Sequence, residues 1–126
     1  MAIPRLPDAE LDVMQIIWQG SGEITTTQIM EALKGSKTWG ITTVINLLTR
    51  MINRGFLSVR REGNYNIYTT LITEDDYLKT ESKRFLSRFH GNSLRSMVAT
   101  LHSDNALTQE DITALKNLIE ELGNKL

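Results

Sequence analysis

Gly40-Ile41-Thr42-Thr43-Val44-Ile45-Asn46-Leu47-Leu48-Thr49-Arg50-Met51-Ile52-Asn53-Arg54 is the stretch that decides the fold. Advanced by about 100° per residue from Thr43, the residues Val44, Ile45, Leu47, Leu48, Met51 and Ile52 occupy one continuous arc. That spacing predicts a helix over 40–54 with the arc turned inward. Thr42, Thr43, Asn46, Thr49 and Arg50 fill the other side, and no carboxylate interrupts them. An ordinary solvent face mixes Glu with Lys, the preferred surface helix formers. Short hydrogen-bonding side chains with one arginine suit a different surface. They match a major groove, which admits an α-helix and shows a distinct donor and acceptor pattern for each base pair.

Upstream, Thr25 and Gln28 have capping-box spacing, and Ile24 and Ile29 sit at the N′ and N4 positions of a hydrophobic staple. They predict a short helix with Ile29, Ala32 and Leu33 inward, ending near Gly35. Gly20-Ser21-Gly22 separates it from a first helix that begins with Asp8 as N-cap and Glu10 in its first turn. Leu11, Met14 and Trp18, widened by Val13 and Ile17, form that helix's apolar stripe. Downstream, Gly55 stands where a C′ glycine belongs. Phe56–Arg61 and Tyr65–Thr70 are β-rich runs around Glu62-Gly63-Asn64, which predicts a hairpin. Three helices and a hairpin with Arg60 and Arg61 just before its tip describe a winged helix-turn-helix.

From Thr73 the pattern is helical again, so a domain boundary is expected near 71–73. Thr73 caps a helix running to about His90, with Asp75 and Asp76 in its first turn and Tyr77, Leu78, Phe85 and Phe89 on its stripe. A shorter helix carries Leu94, Met97, Val98 and Leu101. The last starts at Thr108 and sets Ile112, Leu115, Ile119, Leu122 and Leu126 at heptad spacing for two heptads. Three such helices bury little apolar surface alone. They either pack back on the winged helix or exchange contacts with a second copy. A second copy is the expectation, because DNA readers of this size are commonly symmetric dimers. The expected dimerisation residues are Tyr77, Phe85, Phe89, Leu94, Met97, Val98, Leu101, Ile112, Leu115, Ile119 and Leu122. The fold class is thus mainly α with a small β-hairpin wing. A winged helix-turn-helix domain spans 1–72, and a three-helix dimerisation domain spans 73–126.

The charge balance is nearly even, with 14 basic and 15 acidic residues, but its distribution is not. Between Glu31 and Glu62 there is no acid, while Lys34, Lys37, Arg50, Arg54, Arg60 and Arg61 all fall there. A second basic cluster, Lys79, Lys83, Arg84, Arg88 and Arg95, is opposed by Glu81 alone. From Asp104 onward the chain turns acidic. One segment can face a polyanion while the end keeps the chain soluble.

Other classes are excluded by what is missing. In 126 residues, 40% of them hydrophobic, there is no cysteine, which removes disulfide scaffolds, thiol nucleophiles and cysteine zinc sites. No apolar run spans a membrane, and Met1-Ala2-Ile3-Pro4-Arg5 has no signal-peptide core, so the expected address is the cytoplasm. His90 and His102 have no nucleophile or metal spacing, and the eight glycines mark turns rather than a phosphate loop. Neither an enzyme nor a cofactor or metal site is expected.

Double-stranded DNA is the expected partner. Thr42, Thr43 and Asn46 lie near the start of the 40–54 helix, where base contacts are made. Asn pairs with adenine, and a Thr methyl meets the thymine methyl. Arg50, further along, suits phosphate. Thr26, Thr27, Lys37 and Trp39 flank the helix entry as phosphate anchors, and Arg60, Arg61 and Asn64 arm the wing. The same residues also allow a plainer reading, a solvated face on a winged helix used for protein contacts.

Several stretches resemble one family. Asp8-Ala9-Glu10-Leu11-Asp12-Val13-Met14-Gln15-Ile16-Ile17-Trp18, Thr38-Trp39, Leu47-Leu48-Thr49-Arg50-Met51, the wing Glu62-Gly63 with Tyr68-Thr69, and Phe85 through Val98 are similar to the penicillinase/methicillinase repressors. The similarity runs from Pro7 to the last helix. It implies a homodimeric bacterial repressor of β-lactam-resistance or related genes that binds a dyad operator through its N-terminal domain. It also implies cleavage in the dimerisation domain, triggered by a membrane-bound sensor protease system; the repressor itself is not inserted in the membrane. The family's Asn–Phe scissile bond aligns with Thr100-Leu101, and its Ser-Pro-Lys-Thr aligns with Gly40-Ile41-Thr42-Thr43. Asn64 stands where the family's wing often has Arg. A copper-responsive branch carries a C-terminal cysteine cluster that this chain lacks. A repressor of unrelated genes on the same scaffold fits these departures as an alternative.

Overall fold

A computed structural model describes residues 2–126. The elements follow in the order α1 (Asp8–Gln19), β1 (Glu23–Thr25), α2 (Thr26–Leu33), α3 (Ile41–Asn53), β2 (Leu57–Glu62), β3 (Tyr65–Thr70), α4 (Glu74–His90), α5 (Leu94–Ser103) and α6 (Gln109–Asn124). The fold is mainly helical with one small sheet. It divides into two units, the first ending at Glu81 and the second beginning at Ser82.

In the first unit α1, α2 and α3 pack around Val13, Met14, Ile17, Ile29, Leu33, Val44, Leu47, Leu48 and Met51, all buried. The α1 stripe sits one step away from the expected one: Val13, Met14 and Ile17 are fully buried, while Leu11 and Trp18 flank them half-buried. Asp8 is the first helical residue and Pro7 the N-cap, so Asp8 acts through its charge at the helix start rather than as a cap. The start of α2 is as expected. The Thr25 hydroxyl accepts from the Gln28 N–H, and the Gln28 side chain accepts from the Thr25 N–H. Ala32, expected inward, is exposed; Ile29 and Leu33 are the buried residues of α2, and Met30 packs half-buried against the core.

The end of α3 is fixed by a Schellman motif. The Phe56 N–H donates to the Met51 carbonyl and the Gly55 N–H to that of Ile52, with Gly55 at φ +84°. Phe56 and Met51, both buried, supply the hydrophobic contact that accompanies this motif. The chain therefore leaves the helix directly into the sheet.

That sheet has three antiparallel strands in the order β1-β3-β2, not a lone hairpin. The three-residue β1 pairs Ile24 with Tyr68, and β2 pairs Val59 with the same Tyr68. Gly63 turns at φ +61° while Asn64 stays at negative φ, as in a type II′ hairpin turn. Leu57 and Tyr68 anchor the base of the wing in the core, and the tip projects from it exposed.

The first unit also takes the start of α4. Tyr77 was expected at a dimer interface, yet it is 4% exposed within the winged-helix core. Its hydroxyl accepts the Leu6 N–H at 2.9 Å, and its ring lies against Trp18 and Phe56. It has no surface left to give a second copy. For the same reason the two units part inside α4 rather than near 71–73.

The second unit is built differently. Ser93 caps α5, and Thr108 forms a capping box with Asp111 at the start of α6, yet neither helix has a buried residue. Between these two helices runs an apolar groove of about 550 Å³, lined by Leu94, Val98, Leu107, Ile112, Leu115 and Ile119 among others. Among the described residues no helix is long and apolar enough to cross a membrane.

Candidate nucleic-acid interface

On α3 the buried residues are Val44, Leu47, Leu48 and Met51. Thr42, Thr43, Asn46, Thr49 and Arg50 are exposed, as the helical spacing requires. The structure corrects the edge of the arc. Ile45 was expected inward but is 39% exposed, and Ile41 one turn before it is 55% exposed. The core side of α3 is narrower than six apolar residues: four are buried, Ile52 packs half-buried at the margin, and Ile45 is left outside. Gly40 caps the helix without a side-chain hydrogen bond, and its first turn carries no acid.

The two threonines at the start of α2 differ. Thr26 is half-buried and Thr27 exposed. Lys37 lies 5.2 Å from the centre of the Trp39 ring and 3.1 Å from the Asp12 carboxylate. Trp39 itself is half-buried against the core. Asn64 is exposed at the wing tip.

Spacing in the chain hides how the cations of the acid-free window are matched. Lys34 pairs with Glu31, Lys37 with Asp12, Arg54 with Glu10, and Arg60 with both Glu23 and Glu62. The acids come from α1, α2, β1 and, for Glu62, from the same strand as Arg60, β2. Of these six cations, only Arg50 and Arg61 make no ion pair among the described residues. Arg61 donates instead to the Gly63 carbonyl at 3.3 Å and to the Asn66 side chain at 3.3 Å, which steadies it near the wing tip without neutralising it. Arg60 is the reverse case. Its guanidinium donates to Glu23 at 3.0 Å, which raises the Arg60 pKa and holds the Glu23 carboxyl below its ordinary value.

Glu10 stands in the first turn of α1, as its place in the sequence implies, and has a second role besides: it is 2% exposed and paired with Arg54, the C-cap of α3. An acid in the first turn of an amphipathic helix carries no signal that distinguishes these two roles.

In the second unit, Phe85, Phe89, Leu94, Leu101, Ile119 and Leu122 are exposed, and Met97, Val98, Ile112 and Leu115 half-buried. The Phe85 and Phe89 rings lie 5.0 Å apart. Thr100 and Leu101 are inside α5, where the Thr100 hydroxyl donates back to the Ser96 carbonyl.

The penicillinase repressor family model matches residues 6–121, across both units. The chain belongs to the penicillinase repressor family. Its relatives include the penicillinase repressor of Bacillus licheniformis, 37% identical over 98% of this chain and 95% of that protein. The methicillin resistance regulatory protein MecI of Staphylococcus aureus is 27% identical over 93% of this chain and 94% of its own length. The winged-helix part is similar to the solution structure of monomeric Bacillus licheniformis BlaI in complex with the blaP half-operator. That match has 40% identity and a TM-score of 0.51, and it covers 60% of this chain and 90% of the other. This member of the penicillinase repressor family therefore shares the winged-helix scaffold, and its sequence aligns with these relatives along nearly their whole length.

Proposed function

We propose that this chain is a sequence-specific transcriptional repressor that lays α3 in the major groove of a dyad operator as a homodimer. It would control β-lactam-resistance or related genes. The observation that carries this reading is the exposed face of α3: hydrogen-bonding side chains, no carboxylate and an unpaired Arg50. The family's BlaI has been captured on a half-operator with the same scaffold, which supports it. Thr42, Thr43 and Asn46 read base edges, while Arg50 from α3 and Arg61 from the wing hold phosphates. Thr27, Lys37 and Trp39 flank the entry of α3.

The homodimer rests on the second unit. Neither α5 nor α6 has a buried residue, and exposed leucines on them and exposed phenylalanines on the last turns of α4 leave helices that are unstable alone in water. A second copy laid along Phe85, Phe89, Leu94, Leu101, Ile119 and Leu122 would bury them. Relief of repression by a membrane-bound sensor protease system would act on Thr100-Leu101. Cleavage there requires α5 to open first, since a protease takes its substrate extended.

The test is selection of binding sites from random duplex DNA with the full chain, followed by titration of the best site against salt. An enriched inverted repeat, with half-sites about one helical turn apart, supports a dimeric operator reader. Weak binding indifferent to sequence refutes it.

A further inference from the structure

Two exposed isoleucines on the face that carries the proposed DNA contacts need an account. Single surface apolar residues need none. Ile41 and Ile45 differ because they stand at i and i+4 on the first turns of α3, one above the other, at the edge of the arc that holds Thr42, Asn46 and Thr49. The fold leaves Ile41 55% and Ile45 39% exposed. The surrounding side chains are polar but uncharged, apart from Arg50, and no acid lies anywhere on the helix. A phosphate-facing surface would not place two branched aliphatic side chains there. A base-edge surface would, because the major groove offers one apolar group: the C5-methyl of thymine.

We propose that Ile45, with Ile41 one turn before it, determines specificity by packing on thymine methyl groups in each operator half-site. The proposal deepens the repressor reading and rests on it. Four residues of helix rise about 6 Å, and base pairs stack at about 3.4 Å. Methyls read by both side chains therefore fall within about two base-pair steps. The neighbouring Thr42 and Asn46 supply directional hydrogen bonds, while the isoleucines supply a contact that a cytosine or guanine at the same step cannot return.

Uracil in place of thymine removes only the methyl group and keeps the base pair. In the best selected site, each thymine is replaced singly by uracil, and affinities are measured for the wild type, Ile45→Ser, Ile41→Ser and Thr43→Ser. At one or two positions in each half-site the wild type should lose roughly fourfold per methyl, the transfer free energy of one methylene-sized group. That loss should vanish in Ile45→Ser, or in Ile41→Ser for the neighbouring step, and persist in Thr43→Ser. Both isoleucines are exposed, and Ser has a similar helix propensity, so the variants fold; circular dichroism melts check this. An enriched site whose uracil scan is flat overturns the inference and leaves the repressor reading standing. So does a methyl effect unchanged in both isoleucine variants or abolished only by Thr43→Ser. Failure to enrich any site overturns the repressor reading, and this inference with it.

Discussion

Breaking the Glu10–Arg54 pair should destabilise the winged helix asymmetrically. The pair joins α1 to the C-cap of α3, with Glu10 2% exposed and the Arg54 side chain 31% exposed. Arg54→Met leaves the Glu10 carboxylate in the core without its partner. Stripping one partner from a buried pair costs about 3–5 kcal/mol, a large share of the roughly 5–15 kcal/mol that holds a domain folded. Glu10→Gln is milder. It keeps an acceptor for the guanidinium, which can also turn toward solvent, so the cost is that of weakened buried hydrogen bonding, about 1–3 kcal/mol. In Glu10→Leu/Arg54→Met both charges are gone and apolar volume replaces them, so the double variant should lose less than the summed single Glu10→Leu and Arg54→Met variants by roughly 1–3 kcal/mol. Urea unfolding of the full chain followed by tryptophan fluorescence reads this directly, because Trp18 and Trp39 both lie in the first unit. The reasoning fails if Arg54→Met costs under about 1 kcal/mol, or if the double variant equals the sum of the singles.

Gly55→Ala should cost about 1–2 kcal/mol, because φ there is +84° and the added methyl meets nothing within 4 Å, so the penalty is conformational alone; an unchanged urea midpoint would contradict the Schellman end of α3. Arg61→Ala should reduce the slope of log affinity against log salt by about 0.9 per phosphate contact, and Arg50→Ala likewise, whereas Arg60→Ala should change it little because Glu23 and Glu62 already offset that charge. Equal slopes for Arg60→Ala and Arg61→Ala would refute the distinction. Glu23, its pKa lowered mainly by the hydrogen bond from Arg60, contributes to folding above the ordinary carboxylate range and loses that contribution as pH falls through the lowered value. The stability difference between wild type and Glu23→Gln should therefore shrink in acid, and a difference that stays flat with pH would count against the clasp.

The parts of the fold that were legible in the chain are those fixed by neighbours in sequence. The Thr25–Gln28 capping box, the Gly55 helix end, the hairpin turn and the Thr108 start of α6 each depend on residues within a few positions of one another. What escaped depends on distant partners. The strand β1 has only three residues, too few for a period to show, and exists because β3 is there to pair with it. Tyr77 follows the apolar spacing of its helix faithfully, and periodicity says only that one side of α4 is apolar. It cannot say that the first turns of that side meet Leu6, Trp18 and Phe56.

The candidate interface shows the same limit in its charges. A run without acids looks like a polyanion-binding segment because charge is being counted along the chain, but electrostatic attraction falls with distance in space. Folding brings Asp12 to Lys37, Glu10 to Arg54 and Glu23 to Arg60, and the excess that remains sits on Arg50 and Arg61. Arg60 and Arg61 are adjacent, identical in type and equally exposed to a reader of the sequence. Strand alternation sends them to opposite faces of the sheet, one toward the carboxylate of β1 and the other toward Asn66 and the turn. The acid-free window is thus a measure of charge along the chain and not of charge in space. It marks the segment that carries α3 and the wing, while the charge available to a phosphate is set by which cations the rest of the fold leaves unmatched.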